Sequence, residues 1–165
     1  MKTLTLVRHA KSSWNDTGLA DRDRPLNGRG EHDAPMMGAR LKDSGLRPSL
    51  LISSPAVRAW TTARIIAAEI GYPREFLQRD ERLYLAGTAE IQAVIAEQDV
   101  GFNNIMLFGH NPGFTEFANR LVPGITSNVP TCGIVSVDLE TDDWDLSVMP
   151  ACTLRFFDYP KRLVD

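Results

Sequence analysis

Long apolar runs are missing from this chain of 165 residues. Nothing approaches the roughly 20 consecutive apolar positions that cross a bilayer, so no membrane span is expected. The run Thr3 to Val7 behind Met1-Lys2 stops at Arg8, too short for the apolar core of a secretory signal. Cysteine is scarce too: Cys132 and Cys152 show neither metal-ligand spacing nor a redox motif. They suit two reduced core residues in a cytoplasmic protein. Compositional bias, internal repeats and linkers are likewise lacking, which excludes disordered, collagen-like and coiled-coil classes and leaves one domain over residues 1–165. The formal net charge of −3 gives no reason to seek nucleic acid or an acidic membrane. Local charge differs. Arg8, Lys11, Arg22, Arg24, Arg29, Arg40 and Lys42 make the first quarter basic, whereas Asp138, Glu140, Asp142, Asp143 and Asp145 make the last quarter acidic. A basic pocket inside an acidic protein suits a small anionic substrate.

What is present alternates between two periods. Thr3 to Val7 reads as a buried strand, and Asn27 is placed to cap a helix with Ala34, Met37 and Leu41 on one stripe, ending before Gly45. Pro35 should bend that helix or loosen its first turns. Ser49 to Ser53 reads as a second strand. Ser54-Pro55 then supplies a cap and a first-turn proline for a helix ending at Gly71, its inner face Ala56, Ala59, Ala63, Ile66 and Ile70. Phe76 to Gln78 is a weaker strand. Thr88 caps a helix burying Ile91, Val94 and Ile95, Asn104 to Phe108 is a strand, and Asn111-Pro112-Gly113 restarts a helix to about Leu121. Beyond Pro130, the stretches Ile134–Leu139, Leu146–Val148 and Leu154–Phe157 read as antiparallel strands, with Glu140 to Asp143 as one turn. Strands alternating with helices predict an α/β fold, a mostly parallel sheet covered on both faces with the terminal strands added to one edge.

Ligands of such sheets bind beyond the carboxyl ends of the strands. Three predicted strands deliver polar groups there: Arg8-His9, then Ser53-Ser54 with Arg58 one turn on, then Gly109-His110-Asn111. Guanidinium groups match phosphate oxygens bidentately and stay charged. One neutral imidazole can attack phosphorus, and a second, if protonated, can neutralise developing charge. No metal or cofactor is needed where arginines supply the positive charge.

The segment Arg8 to Asn15, R-H-A-K-S-S-W-N, closely resembles the opening motif of the histidine phosphatase superfamily, the phosphoglycerate mutase-like fold. Ser54 to Arg58 resembles its S-x-x-x-R motif and Gly109-His110 its third signature, in the same order. The segments D-x-D-R-P-L-N-x-R-G (Asp21 to Gly30), D-A-P-M-M (Asp33 to Met37) and S-S-P-A-x-R-A are similar to the short SixA-type branch of phosphohistidine phosphatases. The resemblance implies a three-layer α/β/α sandwich around a mostly parallel mixed sheet. It implies His9 as phosphate-accepting nucleophile, and Arg8, Arg58 and His110 around the phosphoryl oxygens. Ser12 and Asn15 match pocket-lining positions. Arg24 is expected either on substrate or in a salt bridge with Asp21 or Asp23, and His32 matches no catalytic position.

Two departures stand out. Ala10 replaces a glycine, harmless only where the backbone keeps φ negative. Leu85 stands where mutases and sugar phosphatases carry a glutamate general acid, with Glu81 as the displaced candidate. An imidazole leaves phosphorus more readily than an alkoxide, so this gap tilts towards phosphohistidine. The expected function is dephosphorylation of phosphohistidine in proteins through phospho-His9, with a phosphorylated protein as partner. The alternatives are a phosphatase of small sugar or nucleotide phosphate esters, and a phosphate-binding module without catalysis.

Overall fold

The computed structural model describes residues 1–163. Six strands form one sheet: β1 (Lys2–Arg8), β2 (Leu50–Ser53), β3 (Gln78–Arg79), β4 (Asn104–Gly109), β5 (Ile134–Leu139) and β6 (Cys152–Asp158). Their order is β3-β2-β4-β1-β5-β6. The first four run parallel, whereas β5 pairs antiparallel to β1 and β6 antiparallel to β5. Four helices connect and cover them: α1 (Gly28–Asp43), α2 (Val57–Ile70), α3 (Thr88–Ala96) and α4 (Gly113–Leu121).

Strand alternation sorts the core into two layers. Leu4 and Leu6, Leu50 and Ile52, Ile105 and Leu107, and Val135 and Val137 face one side, against Ile91, Val94 and Ile95 of α3 and Phe114, Phe117 and Leu121 of α4. Val7, Leu51, Met106, Phe108 and Ile134 face the other, against Met37 and Leu41 of α1 and Ala63 and Ile66 of α2. The result is the expected α/β/α sandwich. On the second side α1 and α2 approach closely at Gly38, where a Cβ would lie 2.7 Å from Glu69 Cβ. Glycine is needed there for contact rather than for a turn.

Several local expectations shift. Helix α1 runs unbroken through Pro35, and Asn27 caps it by accepting from Gly30 N–H at 2.9 Å. Helix α2 starts at Val57 with Ala56 at its cap, the Ser54 hydroxyl being shared between Ala56 N–H and His110, and it ends at Gly71 with φ of 76°. Gly87, rather than Thr88, caps α3, and Pro112 precedes α4. Strand β3 is displaced to Gln78–Arg79 because a short 3-10 turn occupies Arg74–Phe76. Leu146–Val148 is no strand. Asp143 and Asp145 accept from the backbone N–H groups two residues on, which winds this segment into local turns. Trp144 and Leu146 are thereby plugged into the core while Val148 stays exposed.

Register now fixes the site. Arg8 lies opposite Gly109 and Ser53 opposite Phe108, so β1, β4 and β2 end side by side. The ladder continues one residue further: His9 N–H donates to Gly109 O at 3.0 Å, and Ser54 N–H to Phe108 O at 2.9 Å. His9, Ser54 and His110 must therefore emerge at one rim.

Candidate active site

His9 is buried, and its ring centroid lies 5.2 Å from that of His110. Its Nδ1 is 2.7 Å from the backbone oxygen of Ala10. A carbonyl only accepts, so Nδ1 carries the proton and the Nε2 lone pair is left free. Burial, followed by the charges of Arg58, Arg8 and Arg24, outweighs that hydrogen bond and lowers the His9 pKa to about 4. At neutral pH it is an unprotonated nitrogen nucleophile. Ala10 fits the tight loop without strain. Its N–H donates to Thr62 Oγ1 at 3.0 Å, and Leu85 and Cys132 are the only non-glycine residues with positive φ among those described.

His110 Nε2 lies 2.7 Å from Ser54 Oγ, which itself accepts from Ala56 N–H. Ser54 Oγ keeps both its own proton and a second lone pair for Nε2, so it can meet either neutral tautomer of His110. Burial first, then His9 and Arg58, lower the His110 pKa to about 3. His110 Nδ1, Arg8 Nε and Arg58 Nε are all buried without a hydrogen-bond partner among the described residues. A buried unpaired donor costs about 1–3 kcal/mol.

These groups line a cavity of about 150 Å³, joined by Lys11, Ser12, Trp14, Arg24 and Leu85. That is about five waters at ~30 Å³ each, room for a phosphoryl group but little more. A larger hollow of about 450 Å³ lies between α1 and β6. There Arg40 and Arg162 both engage Asp158, at 3.1 and 2.7 Å, and Asp43 adds a second carboxylate to the wall. The small cavity is different: four cationic side chains line it and no carboxylate does, among the described residues.

The sequence did not reveal the second layer. Asp21 Oδ2 accepts from Arg58 Nη2 at 3.0 Å and from the Tyr84 hydroxyl at 2.5 Å, while its backbone oxygen accepts from Arg58 Nη1 at 2.7 Å. Hydrogen bonding from Tyr84, then Arg58, holds the Asp21 carboxyl at about 2. Tyr84 stands edge-on to His110, with centroids 5.6 Å apart. Arg24 forms the expected salt bridge and also lines the cavity. It pairs with Asp21 at 3.3 Å, donates to Ser12 Oγ at 2.9 Å and lies 3.5 Å over the Trp14 ring, all at the cavity wall.

Two candidates are corrected. Asn15 is exposed and lines no part of the cavity, although Trp14 before it does; its backbone N–H is taken by Ser13 Oγ. Glu81 also lies outside the cavity wall, its carboxylate 2.8 Å from Arg22 in an exposed pair that lowers its pKa, opposite to what a general acid needs. His32 is exposed beside Asp33 on α1. Cys132 is buried and reduced, with its thiol pushed up to about 12 by burial. Among the described residues no three His, Cys, Asp or Glu side chains gather where they could hold a metal ion, and no helix is long and apolar enough to cross a membrane.

The depressed imidazoles couple stability to pH. Both native pKa values lie below the unfolded value of about 6.5, so between roughly pH 6.5 and 4 the unfolded chain binds the extra protons. Unfolding free energy, from urea titrations, is expected to be full above pH 6.5 and to fall by about 2 kcal/mol or more by pH 4. A His110→Asn variant should flatten this slope.

An α/β sheet whose strand tips gather two neutral imidazoles and three arginines defines a site built for an oxyanion of phosphate's charge and size. A family model for the histidine phosphatase superfamily (branch 1) matches residues 4–84. An uncharacterised chloroplast protein of Arabidopsis thaliana is 32% identical over 152 residues, 87% of this chain and 69% of that one. The chain belongs to the histidine phosphatase superfamily. A 2,3-bisphosphoglycerate-dependent phosphoglycerate mutase of Brucella ovis is 38% identical over 84 residues, but the match spans only 50% of this chain and 41% of the mutase. Among solved structures, SixA from Agrobacterium tumefaciens, a candidate phosphohistidine phosphatase, is 26% identical with a TM-score of 0.83, covering 96% of this chain and 98% of that one.

Proposed function

We propose that this protein is a phosphohistidine phosphatase acting on phosphorylated proteins, with His9 as the covalent carrier. The observation behind this reading is the absence of a carboxylic acid from the cavity among the described residues: Leu85 holds the wall position, and Glu81 is turned to Arg22. Near the site, Asp21 is held ionised at about 2, and Tyr84 has its pKa raised by burial and by Asp21. Asp21 has no proton to give, the Tyr84 proton is held by Asp21 at 2.5 Å, and neither side chain lines the cavity. A positioned general acid contributes about 10²–10⁴-fold, and an enzyme without one is confined to better leaving groups.

His9 Nε2 attacks phosphorus as the P–N bond of the substrate breaks. The bonding pair returns to the substrate imidazole, which takes a proton from water. Arg8, Arg58 and His110 hold the phosphoryl oxygens, and the Ala10 carbonyl steadies the ring, whose positive charge rises once Nε2 is phosphorylated. Water then attacks phospho-His9, releasing inorganic phosphate and restoring the lone pair. The Agrobacterium SixA likeness supports this reading through near-complete coverage of both chains, which leaves no room for extra covering segments.

The second reading, a small phosphate ester phosphatase, draws on the mutase likeness in the first half of the chain. The test compares kcat/KM for a phosphohistidine peptide with that for sugar and nucleotide phosphates. A preference for the peptide above about 100-fold is expected. Equal or better turnover of any ester would reverse the assignment.

A further inference from the structure

A second cavity, of about 360 Å³, adjoins the first and shares Arg8, Lys11 and Thr131 with it. Its remaining wall includes Arg29, Tyr159 and Lys161. Four cationic side chains thus face this cleft, and no carboxylate lines it among the described residues. The protein as a whole carries a formal charge of −3, so the concentration of cations is local and is not a by-product of composition.

Three separate segments are held together to make it. The Lys11 loop is pressed on the first turn of α1: Asn27 N–H donates to Lys11 O at 3.0 Å, and a Cβ on Gly30 would lie 2.2 Å from that same oxygen. Arg29 is thereby placed beside Lys11. The chain after β6 is stapled to α1 by Arg40, which donates to Asp158 at 3.1 Å, Tyr159 O at 3.0 Å and Pro160 O at 3.4 Å. That brings Lys161 across from Arg29. Arg29 has a counter-ion in Asp33 at 3.4 Å, whereas Lys11 and Lys161 make no ion pair among the described residues. Fixed backbones carrying uncompensated cations, continuous with a phosphate-sized pocket, form a site for an anion attached to the phosphoryl-bearing molecule.

We infer that this cleft reads acidic side chains next to the phosphorylated residue of a protein substrate, so that the enzyme selects phosphohistidine in an Asp/Glu-rich surround. The inference rests on the reading of the catalytic pocket given above. Two charge contacts at an exposed rim together change affinity about fivefold to tenfold at low salt, and they weaken as ionic strength shortens the screening length.

The experiment compares two phosphohistidine peptides, one flanked by aspartates and one by serines, on the wild type, Lys161→Glu and Arg29→Gln. For the wild type, kcat/KM is expected to favour the acidic peptide about tenfold in 50 mM salt, with most of the advantage gone in 300 mM. Arg29→Gln should cut the ratio to about threefold and the charge reversal Lys161→Glu to about twofold or less, with kcat on phosphoramidate serving as the internal reference. Because Arg29 also pairs with Asp33, the exposed Lys161 variant decides if Arg29→Gln folds poorly. A wild-type ratio near one, or a ratio that survives Lys161→Glu, overturns the inference. A separate arm measures competition of the unphosphorylated aspartate peptide against phosphoramidate hydrolysis. If neither phosphohistidine peptide is turned over, the phosphohistidine reading has failed, and the cleft stands or falls on whether Lys161→Glu weakens that competitor. A short diol bisphosphate hydrolysed tenfold faster than its monophosphate, with no preference between the peptides, would assign the cleft to small bisphosphates and overturn the proposal as stated.

Discussion

Replacing His9 by alanine is expected to lower kcat on a phosphohistidine peptide by about 10⁴-fold or more, the scale lost when a member of a covalent catalytic set is removed. Intact mass after brief incubation with phosphoramidate should show a phosphate adduct on the wild type and none on His9→Ala. The size follows from the geometry. The Ala10 carbonyl fixes the proton on Nδ1, and burial among arginines keeps Nε2 unprotonated to about pH 4. The other imidazole at the cavity, His110, is tied through Nε2 to Ser54. The cavity lining stays otherwise intact, so phosphate should still bind the variant. Near-wild-type turnover by His9→Ala would mean that water attacks directly, and the covalent route would be abandoned.

Arg58→Ala carries the second largest expected loss, about 10³-fold in kcat/KM, within the range for removing an electrostatic donor from a phosphoryl-transfer site. Arg58 is 2% exposed, and Asp21 holds both of its terminal nitrogens. Its removal subtracts a cation and also releases Asp21 next to the bound anion, which adds repulsion. Arg58→Lys should recover little, because an ammonium cannot span the backbone oxygen and the carboxylate of Asp21 together. In Arg58→Ala/Asp21→Asn the repulsive part disappears, and about tenfold of the loss should return. Steady-state kinetics on phosphoramidate separates these cases. An Arg58→Ala enzyme within tenfold of wild type would show that Arg8 and Arg24 suffice.

The reach of the sequence is clear from individual residues. Arg8, His9, Arg58 and His110 were legible because each sits on, or one turn beyond, a strand whose apolar period is unmistakable, and parallel register then forces the tips together. Asp21 and Tyr84 were not recognised as a pair, because their hydrogen bond joins loops 63 residues apart and no local period marks it. Asn15 failed for the converse reason: its motif was clear, but the residue is exposed and lines no part of the cavity. Leu146 and Val148 alternate as strand residues would, yet the flanking aspartates capture the backbone N–H groups that a ladder would need. Helix starts moved by one or two residues where a serine hydroxyl had a tertiary partner or a glycine took the cap.

The partner that orients His9 is main chain, supplied by position 10 whatever amino acid the codon there specifies. Drift at that codon is therefore restrained by space, since Ala10 is fully enclosed, and by the backbone N–H that Thr62 accepts: a glycine would keep the ring's proton where it is, and a bulkier residue would fail by displacing the loop. The inheritance of the nucleophile's protonation pattern is in that sense independent of any second side chain, whereas the Asp21 arrangement can be undone by one base change.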